Sequence, residues 1–284
     1  MNKIFYSTIL MCSLFSFPAI AENVILMIGD GMGTNHLKCA QKDKSLYIPT
    51  LPVKGMVHTQ SANADVTDSA AAATAYACGE KTNNRFLGKL PDGTNCLTIA
   101  EELITKDFSV GIYSTDYPTG ATPSAFYAHV TNRKNKKEIE KYKRKAASSM
   151  DIVVPVKKIS DAIVTKLDKL SAKSGKRGFF ALFEGAKIDT ASHKNNLEKM
   201  KQELYDFDDA VMKAVHFIDE NPDTTLIVLA DHETGGLNDD CRYTTKKHTP
   251  VDIPLYAYGK DADLFKGEQD NTEIYQKIKK ILLP

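Results

Sequence analysis

Five apolar runs punctuate the chain: NVILMI at residues 23–28, SVGIYS at 109–114, GFFALF at 178–183, TTLIVLA at 224–230 and IPLYAYG at 253–259. Each is nearly continuous rather than alternating, which is the pattern of strands covered on both faces. Helical spacing separates them. Leu197, Met200, Leu204, Phe207, Val211, Val215 and Ile218 step by three or four residues along one stripe. KKISDAIVTKLDKL at 157–170 and LTIAEELITK at 97–106 carry the same period, and the alanine run at 70–77 favours a short buried helix. Strands alternating with helices predict an α/β fold with a mostly parallel central sheet flanked by helices on both faces, a three-layer α/β/α arrangement. No repeat, low-complexity linker or change of composition divides the chain, so one domain is expected over residues 22–284.

Polar residues are placed tellingly. GDG follows the first run, EGAKID the third and DHETGG the fourth, and ligand sites in open α/β sheets form beyond the carboxyl ends of strands. Asp30 sits in a glycine turn that lacks the third glycine of a dinucleotide loop, and its charge would repel a pyrophosphate. Glu184, Asp189 and His193 fall within one short stretch, with Asp189 and His193 four apart as on a helical face. Asp231 and His232 are adjacent at a strand end, and His248 precedes the last apolar run. Read singly, each is also a turn aspartate or a surface histidine. Four carboxylates at one sheet edge repel each other unless cations intervene, and three imidazoles are donors that zinc favours. Ser69, in DVTDSAAAATAYACG, has two readings. It is an ordinary first-turn residue behind an N-cap at Thr67 or Asp68, or it stands where a helix's free N–H groups and dipole hold an anion. His36, His58, His129 and His216 lack an acidic partner at ligand spacing and are expected to be structural.

Bulk properties narrow the setting. The chain has 284 residues, 42% hydrophobic and 26% charged, a globular composition. Residues 1–21 read as a secretory signal: Lys3, then an apolar stretch, then Ala19-Ile20-Ala21 before Glu22. That stretch is too short for a membrane span, and Met11 before Cys12 argues against a lipid anchor. A periplasmic or secreted protein is expected. Removing Lys3 brings the 37 basic residues level with the 36 acidic ones, so no global charge draws nucleic acid or membrane. The basic run at 133–145 is broken by glutamates and reads as a solvated helix face. Cys39, Cys78, Cys96 and Cys241 suit disulfides in an oxidising compartment, with three full pairings open.

NVILMIGDGMG, VTDSAAAATA, ATPSAFYAHVTNR, EGAKID with its following histidine, ADHETGGL and KHT resemble, in order, the motifs of alkaline phosphatases. The resemblance covers most of residues 23–259. It implies that Ser69 is a nucleophile that becomes phosphoserine and that Arg133 grips the phosphate oxygens. It implies one zinc on Asp189, His193 and His248, a second on Asp30, Asp231 and His232, and a third ion, magnesium, on Asp30, Thr122 and Glu184. The implied activity is hydrolysis of small phosphate monoesters. A phosphodiesterase or sulfatase of the same superfamily, or a trimmed protein that only binds zinc or phosphate, are the alternatives. Gly120 stands where relatives often carry Asp or His, and Thr190 where many carry Lys or His, both around the third ion. The intervals 133–184 and 232–248 are short for the family, and Glu22 directly precedes the first strand, so the family's homodimer is discounted.

Overall fold

The computed structural model describes residues 22–174 and 177–284; the expected signal segment lies outside them. All five apolar runs form strands, joined by shorter ones. In chain order the strands are β1 Asn23–Gly29, β2 Val53–His58, β3 Ser109–Ser114, β4 Asp151–Val153, β5 Phe179–Gly185, β6 Thr224–Leu229, β7 Glu233–Thr234, β8 His248–Thr249, β9 Ile253–Gly259 and β10 Gly267–Asp270. The helices are α1 Thr34–Gln41, α2 Ser69–Cys78, α3 Ile99–Ile104, α4 Ala121–Ser124, α5 Lys136–Ala146, α6 Ile159–Ser174, α7 Lys187–Ser192, α8 Leu197–Glu220 and α9 Asn271–Leu282.

Eight strands form one sheet in the order β10-β2-β9-β6-β1-β5-β3-β4, and β7 and β8 form a separate ribbon. β6, β1, β5, β3 and β4 run parallel, whereas β9 is antiparallel to both β6 and β2. The sheet is therefore mostly parallel. Every residue of β5 and β6 is buried, because helices cover both faces. α6 and α8 pack on one side, with α1 and α7 against α8; α2, α3, α4 and α9 form the opposite layer. Of the stripe read from the sequence, Met200, Leu204, Phe207, Val211, Val215 and Ile218 are buried in α8. Each such side chain contributes on the order of 1.5–3 kcal/mol by leaving water.

α2 is buried along its whole length. Its alanines let it fit closely among α9, α4 and α3, and its one large side chain, Tyr76, is fully buried and donates to the Ala230 carbonyl at 2.7 Å. Asp68 is its N-cap, accepting from Ala71 N at 3.0 Å, and Gly79 ends it in the left-handed conformation (φ 75°). Disulfides join Cys39 to Cys241 and Cys78 to Cys96. The first ties α1 to the loop between β7 and β8; the second ties the end of α2 to the segment before α3. The basic run forms α5, on which only Ile139 is buried, as its glutamate-broken charge pattern predicts.

Candidate active site

Parallel pairing of β6, β1, β5 and β3 sends their carboxyl ends to one edge of the sheet. Asp30 follows β1, Asp231 and His232 follow β6, and Glu184 lies near the end of β5. α7 starts after a single residue, Ala186, and places Asp189 in its first turn and His193 at its C-cap. In the β7–β8 ribbon His248 pairs with Thr234. α2 brings Ser69 to the same edge, with its Oγ 3.2 Å from His232 Nε2.

The donors form two adjoining groups. His193 Nε2 lies 3.3 Å and His248 Nε2 3.7 Å from Asp189 Oδ1. His232 Nε2 lies 3.4 Å from Asp30 Oδ1 and 3.3 Å from Asp231 Oδ2. Asp189 sits between the groups, since its carboxylate also falls within 4.8 Å of donors on Asp30 and His232. The rings of His232 and His248 stack with centroids 3.5 Å apart.

Hydrogen bonds assign the tautomers. His193 Nδ1 lies 2.6 Å from the Lys246 carbonyl and His248 Nδ1 3.0 Å from the Thr67 carbonyl. A carbonyl only accepts, so both Nδ1 atoms carry the proton and both Nε2 atoms are bare in the neutral rings. Thr234 Oγ1 donates its proton to Asp189 Oδ1 at 2.6 Å, so at 3.2 Å it accepts from His232 Nδ1, which leaves His232 Nε2 bare too. The bare Nε2 atoms of His193 and His248 then face each other at 3.2 Å. Two lone pairs meeting at that distance suit a shared cation.

The carboxylates carry the same signature. Asp30 Oδ1, Glu184 Oε1, Asp231 Oδ2 and Thr122 Oγ1 are buried without a hydrogen-bond partner. Burial, then the charges of Asp231, Asp189 and Glu184, pushes the Asp30 carboxyl well above its usual range. Glu184 is raised by burial and then by Asp116, and Asp231 is raised by burial. Burial, followed by the nearby His248, pushes His232 well below its ordinary value. Unpaired buried carboxylates cost several kcal/mol each. Oxygen and imidazole donors in this arrangement fit divalent cations, which cancel that cost.

Asp68 links Ser69 to Arg133. Its Oδ1 caps α2 and accepts from Arg85 N at 3.0 Å, while Oδ2 accepts from Arg133 Nη1 at 3.2 Å. Both side chains are partly exposed, so the pair orients the guanidinium more than it stabilises the fold. The candidate residues Ser69, Asp30, Asp189, His193, Asp231, His232 and His248 thus meet at one edge, with Glu184 and Thr122 beside them and Arg133 held next to the serine.

Sequence reasoning missed Thr234, Asp68's second role, and Ser114, which donates to Glu184 Oε2. Their decisive partners, Asp189, Arg133 and Glu184, are distant in sequence, and no spacing signals them. Three of the four histidines set aside do have acidic neighbours through space. His58 pairs with Asp252, His129 with Glu101, and buried His36 lies 3.9 Å from Glu233. Burial lowers His36 to about 4, and its Nε2 bonds Ser192 Oγ, bracing α7 between Asp189 and His193.

The family profile described as alkaline phosphatase matches residues 21–164 and 155–243. Alkaline phosphatase 4 of Bacillus subtilis (strain 168) is 28% identical over 287 residues, covering 76% of this chain and 62% of that protein. Alkaline phosphatase 3 of the same organism is 25% identical over 413 residues, covering 92% and 89%. The alkaline phosphatase of the Antarctic bacterium TAB5 superposes with a TM-score of 0.86 at 27% identity, over 94% of this chain and 99% of that one. A variant of that enzyme, with Mg bound, superposes with a TM-score of 0.84.

Proposed function

This chain belongs to the alkaline phosphatase family, and on that premise we propose that it is an exported phosphomonoesterase acting through a phosphoserine on Ser69. The observation that carries the reading is the meeting of Ser69 Oγ with bare imidazole nitrogens and partnerless buried carboxylate oxygens at the head of a helix. Asp189, His193 and His248 would hold one zinc, Asp30, Asp231 and His232 a second, and Asp30, Thr122 and Glu184 a magnesium ion. Such ions supply positive charge that lowers the pKa of a coordinated oxygen and offsets charge on a phosphoryl group.

The chain's own groups do the positioning. Asp68 fixes the first turn of α2, so Ser69 Oγ points at the sheet edge while the helix dipole favours the anion. The guanidinium of Arg133 presents a planar fork that matches two phosphoryl oxygens, and Asp68 holds it beside the serine. In the first half-reaction the Ser69 Oγ–phosphorus bond forms, the Ser69 O–H and ester oxygen–phosphorus bonds break, and the alcohol departs with a proton replacing the one the serine gave up. In the second, water attacks the same phosphorus, the Oγ–phosphorus bond breaks, one water proton restores the serine hydroxyl, and hydrogen phosphate is released. Thr234 and the Lys246 and Thr67 carbonyls keep the three rings in one tautomer throughout. Export is supported by the signal-like residues 1–21 and by two disulfides.

Turnover of p-nitrophenyl phosphate, its bis ester and its sulfate tests the reading, together with Ser69→Ala. The monoester should be strongly preferred. Ser69→Ala should lose at least about a thousandfold in kcat with metal content unchanged. Equal or faster diester turnover, or near-native activity in the variant, overturns it.

A further inference from the structure

Glu184, Thr122 and Asp30 offer three buried oxygens without partners, and Asp116 approaches the same corner from the end of β3. Its backbone N donates to Ser114 Oγ at 2.8 Å, and that hydroxyl in turn donates to Glu184 Oε2, so one serine ties both acids together. Asp116 Oδ1 is taken by Tyr117 N at 2.6 Å, which leaves Oδ2 without a hydrogen bond, with the charges of Arg133 and Lys136 nearby. That oxygen occupies the space above Gly120. A Cβ at position 120 would collide with Asp116 Oδ2 and lie 2.9 Å from the Asp116 Cβ. Gly120 has an ordinary negative φ of −56°, so its backbone conformation does not require glycine. The space a Cβ would fill is instead taken by the neighbouring carboxylate, which would have to turn away to admit one. Gly120 also begins α4, which carries Thr122, so the space it leaves lies beside that partnerless hydroxyl. A cavity of about 490 Å³ elsewhere on the surface has no such convergence, whereas Asp116 also lines an opening with Thr115, Lys187 and Thr190 beside α7.

We infer that Asp116 completes the Glu184–Thr122–Asp30 cation site as an added carboxylate, either as a direct ligand or through a bound water, and that the bare Gly120 is what admits it. The site then has the all-oxygen character that a small hard cation such as magnesium prefers. The inference rests on the metal-dependent reading above, and binding rather than turnover reports on it. Magnesium affinity of zinc-loaded protein, measured by calorimetry and by equilibrium dialysis with metal analysis, should fall about tenfold or more in Asp116→Asn. Gly120→Ala should weaken binding similarly by displacing the carboxylate, and the double variant should lose little more than either alone. Zinc content should be unchanged in all three, which also shows that they fold. Native magnesium affinity in Asp116→Asn alongside its loss in Glu184→Gln overturns the role of Asp116 and leaves the phosphatase reading intact. Weakened phosphate inhibition with native magnesium affinity overturns it too, assigning Asp116 to Arg133 instead. Absence of magnesium binding in the unaltered protein removes the site altogether, whatever the monoester turnover.

Discussion

Thr234 has one hydroxyl proton and two partners, Asp189 and His232 Nδ1. Replacing it with valine keeps the shape but takes away both bonds, freeing the His232 ring to turn and leaving Asp189 without its donor. Groups that orient metal ligands in this way typically account for ten- to a hundredfold in metal affinity. Thr234→Val should therefore bind zinc about 10–100-fold more weakly, as read by competition with a chromophoric chelator. Unchanged affinity would show that β7 alone holds the ring. The ligand candidates themselves were legible from sequence because aspartate and histidine cluster just after apolar runs. Thr234 lay in the same quoted segment, ADHETGG, yet nothing marks a threonine whose partner is Asp189. The same holds for Ser114 and Asp68. Asp116 left one trace, a glycine at 120 beside it, which gains meaning only once the carboxylate above it is located.

At the scale of elements, the loop between β7 and β8 deserves a test of its own. It carries Lys246, whose carbonyl orients His193, and leads to His248, while Cys241 staples it to α1 through Cys39. The cross-link closes a span of 202 residues, and losing such a bond typically costs about 2–5 kcal/mol. Cys39→Ser with Cys241→Ser should lower the urea midpoint accordingly and weaken zinc binding at the proposed Asp189, His193 and His248 site. Zinc affinity that survives the change would assign the loop's order to its glycine turns and the pairing of β7 with β8. The five long strands were readable as elements because they are buried apolar runs. β2, VKGMVH, was not, since Lys54 and Gly55 interrupt it and half of it is partly open to water. The reversed direction of β9 was equally hidden: its residues read the same whichever way the strand points.

Across the whole molecule, the raised Asp30, Glu184 and Asp231 carboxyls connect cation binding to stability. Their folded pKa values lie above the unfolded values of about 4, so the metal-free folded chain retains protons that the unfolded chain releases. Stability from these groups is fully present below pH 4 or so and drains away as pH rises through the raised values. His232, pushed down, acts oppositely and only below about pH 6.5, so the alkaline side belongs to the carboxyls. The gap in Tm between loaded and chelator-treated protein should be wider at pH 9 than at pH 5, with the change falling between the unfolded carboxyl values and the raised ones; a constant gap would contradict the charge argument. No helix among the described residues is long and apolar enough to cross a membrane. Asp30 and His248 sit near opposite ends of the chain, so during synthesis the earliest donor emerges long before the last. A half-made polypeptide offers any passing ion only a fragment of its coordination shell. Tight metal capture is therefore expected of the finished fold and not of the emerging chain.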